Sequence, residues 1–187
     1  ALPIMLKGFR MAFKQRDLRS PEQRDLLASF HELILVAGQH AAKHLEQIVA
    51  VVKYFWKAEN SRNRLDGYWL YAHEILDILL TVASYTDSDR QYPLSNWLVP
   101  RLLQGLTASA EDSRRPHCVQ VLRIFAVLGA GMGDFKRLLI PVLIELVENP
   151  RRHSMARTRA LQVLMHITKG PSSGTMNSVF KEFANRL

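Results

Sequence analysis

Apolar residues recur along this chain in helix-length runs, and the runs come in pairs. Four times, an apolar run with i, i+3, i+4 spacing is followed by a short break and then by a second such run. The first runs end at Gly38, Ser84, Gly129 and Lys169, which are 46, 45 and 40 residues apart. A period of about 40 to 47 residues with two helices per unit is typical of HEAT repeats. The pattern therefore predicts an all-α fold, a HEAT-type α-solenoid (an α-α superhelix) of about four helix pairs.

The signals at the ends of these runs predict where individual helices begin and end. Ser20 is placed to cap the first complete pair, and Gln23 is placed to close a capping box with it. Gly38 is placed to end the first helix of that pair. Residues 85–93 are polar and rich in turn formers, so we expect a loop there, followed by a helix from Ser95. The predicted units of this single HEAT-repeat segment are a partial one at 1–14 and pairs at 20–56, 64–106, 113–148 and 154–187.

The apolar stripe of each helix predicts its buried face. Because a pair of helices cannot bury these faces alone, each unit must stack on its neighbours, and the stack offers long surfaces rather than a built-in pocket. In the third pair Asp134 is placed as an N-cap, and the last helix is expected from about Asn177. The side chains expected to face inward are Leu26, Leu27, Phe30, Leu33, Ile34, Ala37, Leu45, Ile48, Val49, Val52, Phe55, Trp56, Trp69, Ala72, Ile75, Leu76, Leu79, Leu80, Val82, Val119, Leu122, Ile124, Phe125, Leu128, Phe135, Leu138, Leu139, Val142, Leu143, Leu146 and Val147.

Composition and cysteine content narrow the class of protein. Apolar residues make up 48% and charged residues 22% of the chain, as in ordinary folded proteins. The single cysteine, Cys118, excludes an internal disulfide and fits a reducing compartment, so we expect a cytoplasmic location. No apolar stretch reaches the ~18 residues of a membrane-spanning helix, and no signal-peptide pattern is found. Both ends fall in apparently helical runs, and we expect a fragment of a longer chain.

Residues that could carry chemistry have simpler explanations. His40 and His44 are four residues apart, but no third ligand of a zinc set lies near them in the sequence. His117 and Cys118 have the residue types of a nucleophile and its base, yet adjacent residues of a helix do not face each other. Ser20 could be read by a basophilic or proline-directed kinase, although the capping role explains the same residues. The sequence therefore predicts no catalytic residue, no metal ligand and no cofactor for this segment.

Positive charge is concentrated in the connections between the predicted repeats. The chain has a net charge of +8 and a sequence pI near 9.9. In a solenoid the connections between repeats lie along one edge. These cations indicate either a solvated edge or a basic ridge that docks an acidic protein surface or nucleic acid. The residues of this candidate basic edge are Lys14, Arg16, Arg19, Lys57, Arg62, Arg64, Arg114, Arg115, Arg151 and Arg152.

Two stretches of the sequence resemble the middle HEAT array of target-of-rapamycin (TOR) kinases. In residues 2–56, the run Glu-Gln-Ile-Val at 46–49 leads to Lys-Tyr-Phe-Trp at 53–56, which is similar to the family's helix ending in a Phe-Trp pair. In residues 92–187, the stretch 128–141 is similar to the family's Gly-Ala turn, Asp-aromatic start and Leu-rich helix with proline. Residues 157–161 are similar to its Arg-Lys-Ala-Ala-Leu helix. Residues 57–91 depart from the family pattern.

The resemblance implies a large parent chain, a serine/threonine protein kinase that governs growth in response to nutrients. The catalytic domain and ATP site would lie elsewhere in that parent, and this segment would be non-catalytic. It would shape the solenoid that builds the kinase dimer, so its expected partners are a raptor-like accessory subunit and a second copy of the kinase. Two alternatives stay open. One is a HEAT or armadillo adaptor of another family, karyopherin-like or a translation scaffold. The other, ranked lower, is a helical repeat that binds nucleic acid.

Overall fold

A computed structural model describes residues 1–15, 20–60, 71–108, 115–129, 132 and 135–168. Across these ranges the regular structure is helical and contains no strand, which confirms the predicted all-α class. The α-helices of the described ranges are α1 (Leu2–Gln15), α2 (Pro21–Ala37), α3 (Gln39–Ala42), α4 (Leu45–Asn60), α5 (Ala72–Tyr85), α6 (Ser88–Ala108), α7 (Arg115–Leu128), α8 (Lys136–Glu148) and α9 (Ser154–Thr168).

The chain divides into two compact units. Unit 1 comprises Ala1–Thr86 and therefore contains α1 to α5, and unit 2 comprises Asp87–Leu187 and contains α6 to α9. The boundary falls between the two helices that the sequence pattern pairs as 64–106. A continuous array across this boundary stays a prediction.

Local sequence signals set both ends of α2. Pro21 is its first residue, where the missing N–H is harmless because that position has no intrahelical partner. Gly38 follows the last residue with a positive φ of 53°, a conformation that glycine adopts without a side-chain clash. Its N–H donates to the carbonyl oxygens of Ile34 and Leu35. The predicted start after Ser20 and end at Gly38 are therefore confirmed.

The predicted capping box is wrong. The hydroxyl of Ser20 is buried and makes no hydrogen bond within the described part of the chain. The Gln23 side chain lies in the core instead, where its Nε2 donates to the carbonyl oxygen of Phe13 at 3.2 Å. The hydroxyl of Tyr54 donates to the same oxygen at 3.4 Å. Phe13 belongs to the last turn of α1, whose carbonyls have no intrahelical partner. Gln23 thus caps the end of α1 rather than the start of α2.

Phe13 is also the centre of an aromatic cluster in unit 1. Its ring packs edge-on against Phe30 of α2, with centroids 5.8 Å apart, and against Phe55 of α4 at 4.9 Å. Phe55 in turn packs against Tyr71 at 5.7 Å. Edge-to-face contacts are favoured because the positive edge of one ring meets the negative face of the other. The cluster joins α1, α2 and α4, and it confirms the inward positions predicted for Phe30 and Phe55.

Helices α2 and α5 run parallel. Arg24 Nε lies 3.0 Å from Glu74 Oε1, and seven residues further along both helices His31 Nε2 lies 2.9 Å from Thr81 Oγ1. Because the two contacts advance together by about two turns, the helices point in the same direction. We call this contact, marked by its two polar pairs, the α2–α5 seam. Equivalent helices of successive repeats stack this way, whereas consecutive helices of an up-and-down bundle alternate in direction.

In unit 2, α9 packs on both α7 and α8, and α6 packs on α7. Arg157 Nε donates to the carbonyl oxygen of Val147 at 2.9 Å, near the end of α8, where carbonyls lack intrahelical partners. The charge of Arg152 acts on the Cys118 thiol, so the N-terminal ends of α7 and α9 lie near each other, as in parallel packing. The fully buried side chains of this unit include Leu98, Val99, Leu102, Leu122, Ile124, Phe125, Leu128, Leu139, Leu143, Val163 and Leu164.

Two further predictions are wrong. The expected loop at 85–93 is largely helical, because α6 begins at Ser88, three residues after α5 ends at Tyr85. Leu138, expected to face inward, is 57% exposed, since the core face of α8 carries Leu139 and Leu143. The other predicted inward side chains that the structure describes are buried or half-buried, which confirms the stripes. The positions of Trp69, Asp134 and the last helix near 177, and the Trp56 side chain, lie outside the described residues.

Candidate interaction surface

Three cations lie on one exposed face of α1. Lys7, Arg10 and Lys14 follow i, i+3, i+7 spacing, which places them on the same side of the helix. All three are exposed, and none forms an ion pair within the ranges that the structure describes. Because α1 contains no aspartate or glutamate, its own residues do not compensate this charge.

An exposed apolar strip runs beside these cations. Ile4 is 77% exposed and Met11 is 52% exposed, and their i, i+7 spacing places them on one side of α1. Gly8 lies between them, and a Cβ added there would meet nothing within 4 Å. A glycine inside a helix is less stable than alanine by about 0.5–1 kcal/mol, and no packing among the described residues requires it. We define the α1 outer face as Ile4, Lys7, Gly8, Arg10, Met11 and Lys14.

The candidate basic edge predicted from the sequence is described only in part. Lys14 is exposed in the last turn of α1 and belongs to the α1 outer face. Arg151 is exposed, whereas Arg152 is half-buried with its Nη2 3.7 Å from Glu145 Oε1. Lys14 is in unit 1 and the two arginines are in unit 2, so that they share one edge stays a prediction. The members that lie outside the described side chains are Arg16, Arg19, Lys57, Arg62, Arg64, Arg114 and Arg115.

The sequence analysis missed Lys7 and Arg10 because it searched for charge only in the connections between helices. A signal was present: the stretch 2–15 has no acidic residue, and its cations recur with helical spacing. The sequence pattern did not indicate that the neighbouring Ile4 and Met11 are exposed. Exposure depends on which helices pack against α1, and this is a tertiary property.

Histidine and cysteine side chains do not assemble into a site in the described part of the chain. There, no group of three His, Cys, Asp or Glu residues could hold a metal ion. His40 is exposed and His44 is half-buried, both in the short segment between α2 and α4. Burial raises the pKa of the Cys118 thiol above its usual value, and the positive charge of Arg152 offsets part of this rise. Because a nucleophilic cysteine needs a lowered pKa, Cys118 is a weak nucleophile.

Among the described helices, none combines the length and the apolar character needed to cross a lipid bilayer. No family model matches the chain, and no curated protein or solved structure is found to be similar to it. The features that bear on function are therefore the helix stacking and the exposed surfaces.

Proposed function

We propose that this chain is a non-catalytic segment of a HEAT-repeat scaffold that binds protein partners. The parallel α2–α5 seam is the observation that carries the proposal, because equivalent helices of a repeat array stack in this way. Such arrays hold partners on long helical surfaces rather than in a pocket. The α1 outer face is a surface of this kind.

The chemistry of the α1 outer face favours an acidic helical surface as its partner. Ile4 and Met11 offer apolar anchors, and Gly8 between them leaves room for another backbone to approach closely. The cations beside them attract and orient a partner that carries carboxylates along one side. An accessory subunit with an amphipathic, acidic helix satisfies both requirements. The cost of a helical glycine is then offset in the complex rather than in the free chain.

The parent protein, in this proposal, is a TOR-like serine/threonine kinase, and the partner is its raptor-like accessory subunit. The sequence resemblance in 2–56 and 92–187 supports this assignment. It is consistent with the buried position of Phe55, the first residue of the Phe-Trp pair. Sequencing the full transcript tests the parentage, since a protein kinase domain is expected downstream of Leu187. A transcript without one would favour an adaptor of another family.

Cysteine cross-linking tests the stacking itself. In a Cys118→Ser background, the pairs Arg24→Cys/Glu74→Cys and His31→Cys/Thr81→Cys should form disulfides readily, because each joins side chains already in contact. The crossed pair Arg24→Cys/Thr81→Cys should not, since two helical turns separate those positions by ~10 Å along the axis. Non-reducing gels and mass spectrometry give the readout. Equal cross-linking of matched and crossed pairs would rule out a parallel seam.

Charge reversal tests the docking surface. The variant Lys7→Glu/Arg10→Glu/Lys14→Glu should bind the accessory subunit at least about tenfold more weakly at low salt, because favourable contacts become repulsive. The difference should shrink as salt screens these charges. Titration calorimetry with the purified subunit measures both effects.

A matched control reverses three exposed cations elsewhere, at Lys43, Arg123 and Arg137. This control has the same net charge as the first variant, so it should retain most of the affinity. Equal losses in both variants would indicate a general charge effect, and an unchanged affinity in the first would exclude the α1 outer face. Binding of duplex nucleic acid with a steep salt dependence, but not of the subunit, would favour the nucleic-acid alternative.

A further inference from the structure

Ser154 lies at the start of α9, directly after a short basic segment. The residues before it are Arg151, Arg152 and His153, and α9 begins at Ser154 itself. Arginine-directed serine kinases bind arginines three and two residues before the phosphoacceptor through carboxylates, in charge-assisted and often bidentate contacts. We propose that Ser154 is a phosphorylation site for a kinase of this class.

The structure presents the elements that such a kinase needs. Ser154 and Arg151 are both exposed, and the Ser154 hydroxyl makes no hydrogen bond within the described part of the chain. The segment 149–153 between α8 and α9 is not helical. Its local contacts are modest: the Arg151 N–H donates to Asn149 Oδ1 at 3.0 Å, and the Met155 N–H donates to His153 Nδ1 at 3.3 Å. A kinase can therefore engage this segment without opening the core.

The two arginines differ in availability. Arg152 is half-buried and lies 3.7 Å from Glu145, so part of its charge is already engaged within unit 2. Arg151 has no ion pair in the ranges that the structure describes. Recognition by the kinase is thus expected to depend mainly on Arg151, three residues before the acceptor.

Other serines show why exposure matters. Ser20 also follows an arginine in the sequence, but its hydroxyl is buried, which excludes phosphoryl transfer to it in the folded chain. Ser29 and Ser84 are exposed, but each lies inside a helix, and its Oγ donates to the carbonyl four residues earlier. No arginine stands two or three residues before either of them. They serve as matched controls.

The reaction transfers the γ-phosphoryl group of ATP. The Ser154 oxygen forms a bond to the γ-phosphorus, the bond from that phosphorus to the β–γ bridging oxygen breaks, and ADP leaves with the electron pair. The hydroxyl proton passes to the kinase's carboxylate base. The phosphate adds about −1.5 to −2 charges at pH 7, in a first helical turn that holds no acidic residue and where the helix dipole favours an anion. It largely neutralises Arg151 and Arg152, which would weaken docking of an acidic partner there; this consequence rests on the proposed function, whereas the phosphorylation does not.

The experiment uses the full chain, labelled ATP and the catalytic subunit of cyclic-AMP-dependent protein kinase as the probe enzyme. We expect one phosphate per chain, placed on Ser154 by tandem mass spectrometry, and loss of that label in Ser154→Ala. Arg151→Ala should slow incorporation at least about tenfold, because it removes a charge-assisted contact. Ser29→Ala should be labelled like the wild type.

Three results would overturn the assignment. One is labelling that persists in Ser154→Ala or maps to another residue. Another is absence of labelling on the folded chain while a peptide of residues 147–160 is labelled, because the hydroxyl would then be inaccessible. The third is an Arg151→Ala variant labelled at the wild-type rate, which also serves as the decisive measurement if circular dichroism shows Ser154→Ala to be unfolded. If the labelled chain binds the accessory subunit as tightly as the unlabelled chain, the docking role of Arg151 and Arg152 fails while the phosphorylation site stands.

Discussion

The two units hold their helices together with different kinds of contact. In unit 1, aromatic rings surround Phe13, and polar side chains pair across the α2–α5 seam. In unit 2 the described core is aliphatic apart from Phe125, which makes no ring contact within the described ranges. Its polar contacts gather instead around the start of α9, where Arg157 donates to the end of α8.

This difference matters for function because directional and non-directional contacts constrain helices differently. Edge-to-face rings and hydrogen bonds have preferred geometries, so they fix the register of one helix on another. Aliphatic side chains tolerate repacking with little loss while the total volume is kept. Unit 1 is therefore suited to hold the α1 outer face in a fixed orientation. In unit 2, polar contacts hold the short segment before α9, and Ser154 stays exposed there.

Truncating Phe13 gives the largest expected effect and tests the comparison directly. Phe13→Ala should lower the free energy of unfolding by about 3–5 kcal/mol, and Phe125→Ala should also lie in that range for a fully buried phenylalanine. Phe13→Ala should exceed Phe125→Ala by roughly 1–3 kcal/mol, because only Phe13 loses contacts with several rings. Urea unfolding followed by circular dichroism measures both. Equal losses would mean that the rings add nothing beyond burial.

Replacing Gln23 tests whether its capping of α1 is essential. Gln23→Ala should cost about 1–3 kcal/mol, since it removes the hydrogen bond to the Phe13 carbonyl and leaves a cavity. Gln23→Met should cost less than about 1 kcal/mol, because it fills the space, removes the unpartnered Oε1 and leaves the Tyr54 hydroxyl on that carbonyl.

Ser20→Ala is the control for the Gln23 variants. A true N-cap serine costs about 1 kcal/mol when it is lost, but the Ser20 hydroxyl makes no such bond, so we expect a smaller change. Chemical unfolding at one protein concentration compares the three variants. A full N-cap loss in Ser20→Ala would restore the capping box that the structure contradicts.

The helices themselves were predictable because their signals are local. The stripe through Leu27, Phe30 and Ile34 recurs with helical spacing, and Gly38 supplies the positive φ that ends the helix. The first residues of α6 had no such signal. Residues 88–93 carry no periodic apolar positions, and the apolar pattern begins only at Leu94. A polar first turn and a polar loop have the same composition, so sequence periodicity could not separate them.

The candidate surfaces were predictable only as far as charge goes. The sequence showed the cations Lys14 and Arg151, but not whether apolar neighbours were covered. Gln23 illustrates the limit. It stands three residues after a serine, as in a capping box, yet its side chain finds a stronger demand in the exposed carbonyl end of α1. Such a partner comes from elsewhere in the fold and leaves no trace in local spacing.

The α2–α5 seam contributes specificity more than stability. Arg24 is 59% and Glu74 21% exposed in their side chains, so water and salt screen their attraction. A double-mutant cycle with Arg24→Met and Glu74→Gln should give a coupling of about 0.2–1 kcal/mol, decreasing with added salt. Unfolding free energies of the four chains supply the coupling. A coupling well above this range would show that the pair is desolvated and that polar contacts, rather than the aromatic cluster, dominate unit 1.

The smallest expected effect concerns Cys118, which reports on the contact between the start of α9 and α7. Burial raises the pKa of its thiol, so alkylation by iodoacetamide at pH 8 should be slower than for a free cysteine. Removing the Arg152 charge removes the influence that lowers this pKa. The pKa then rises further, the thiolate fraction falls, and Arg152→Ala should react more slowly still, by a factor of about two to five. Arg151→Ala, an exposed neighbour, is the control and should react like the wild type. Faster alkylation in Arg152→Ala would mean that the side chain shields the thiol from the reagent, and that unit 2 opens at this point more readily than unit 1 does at its ring cluster.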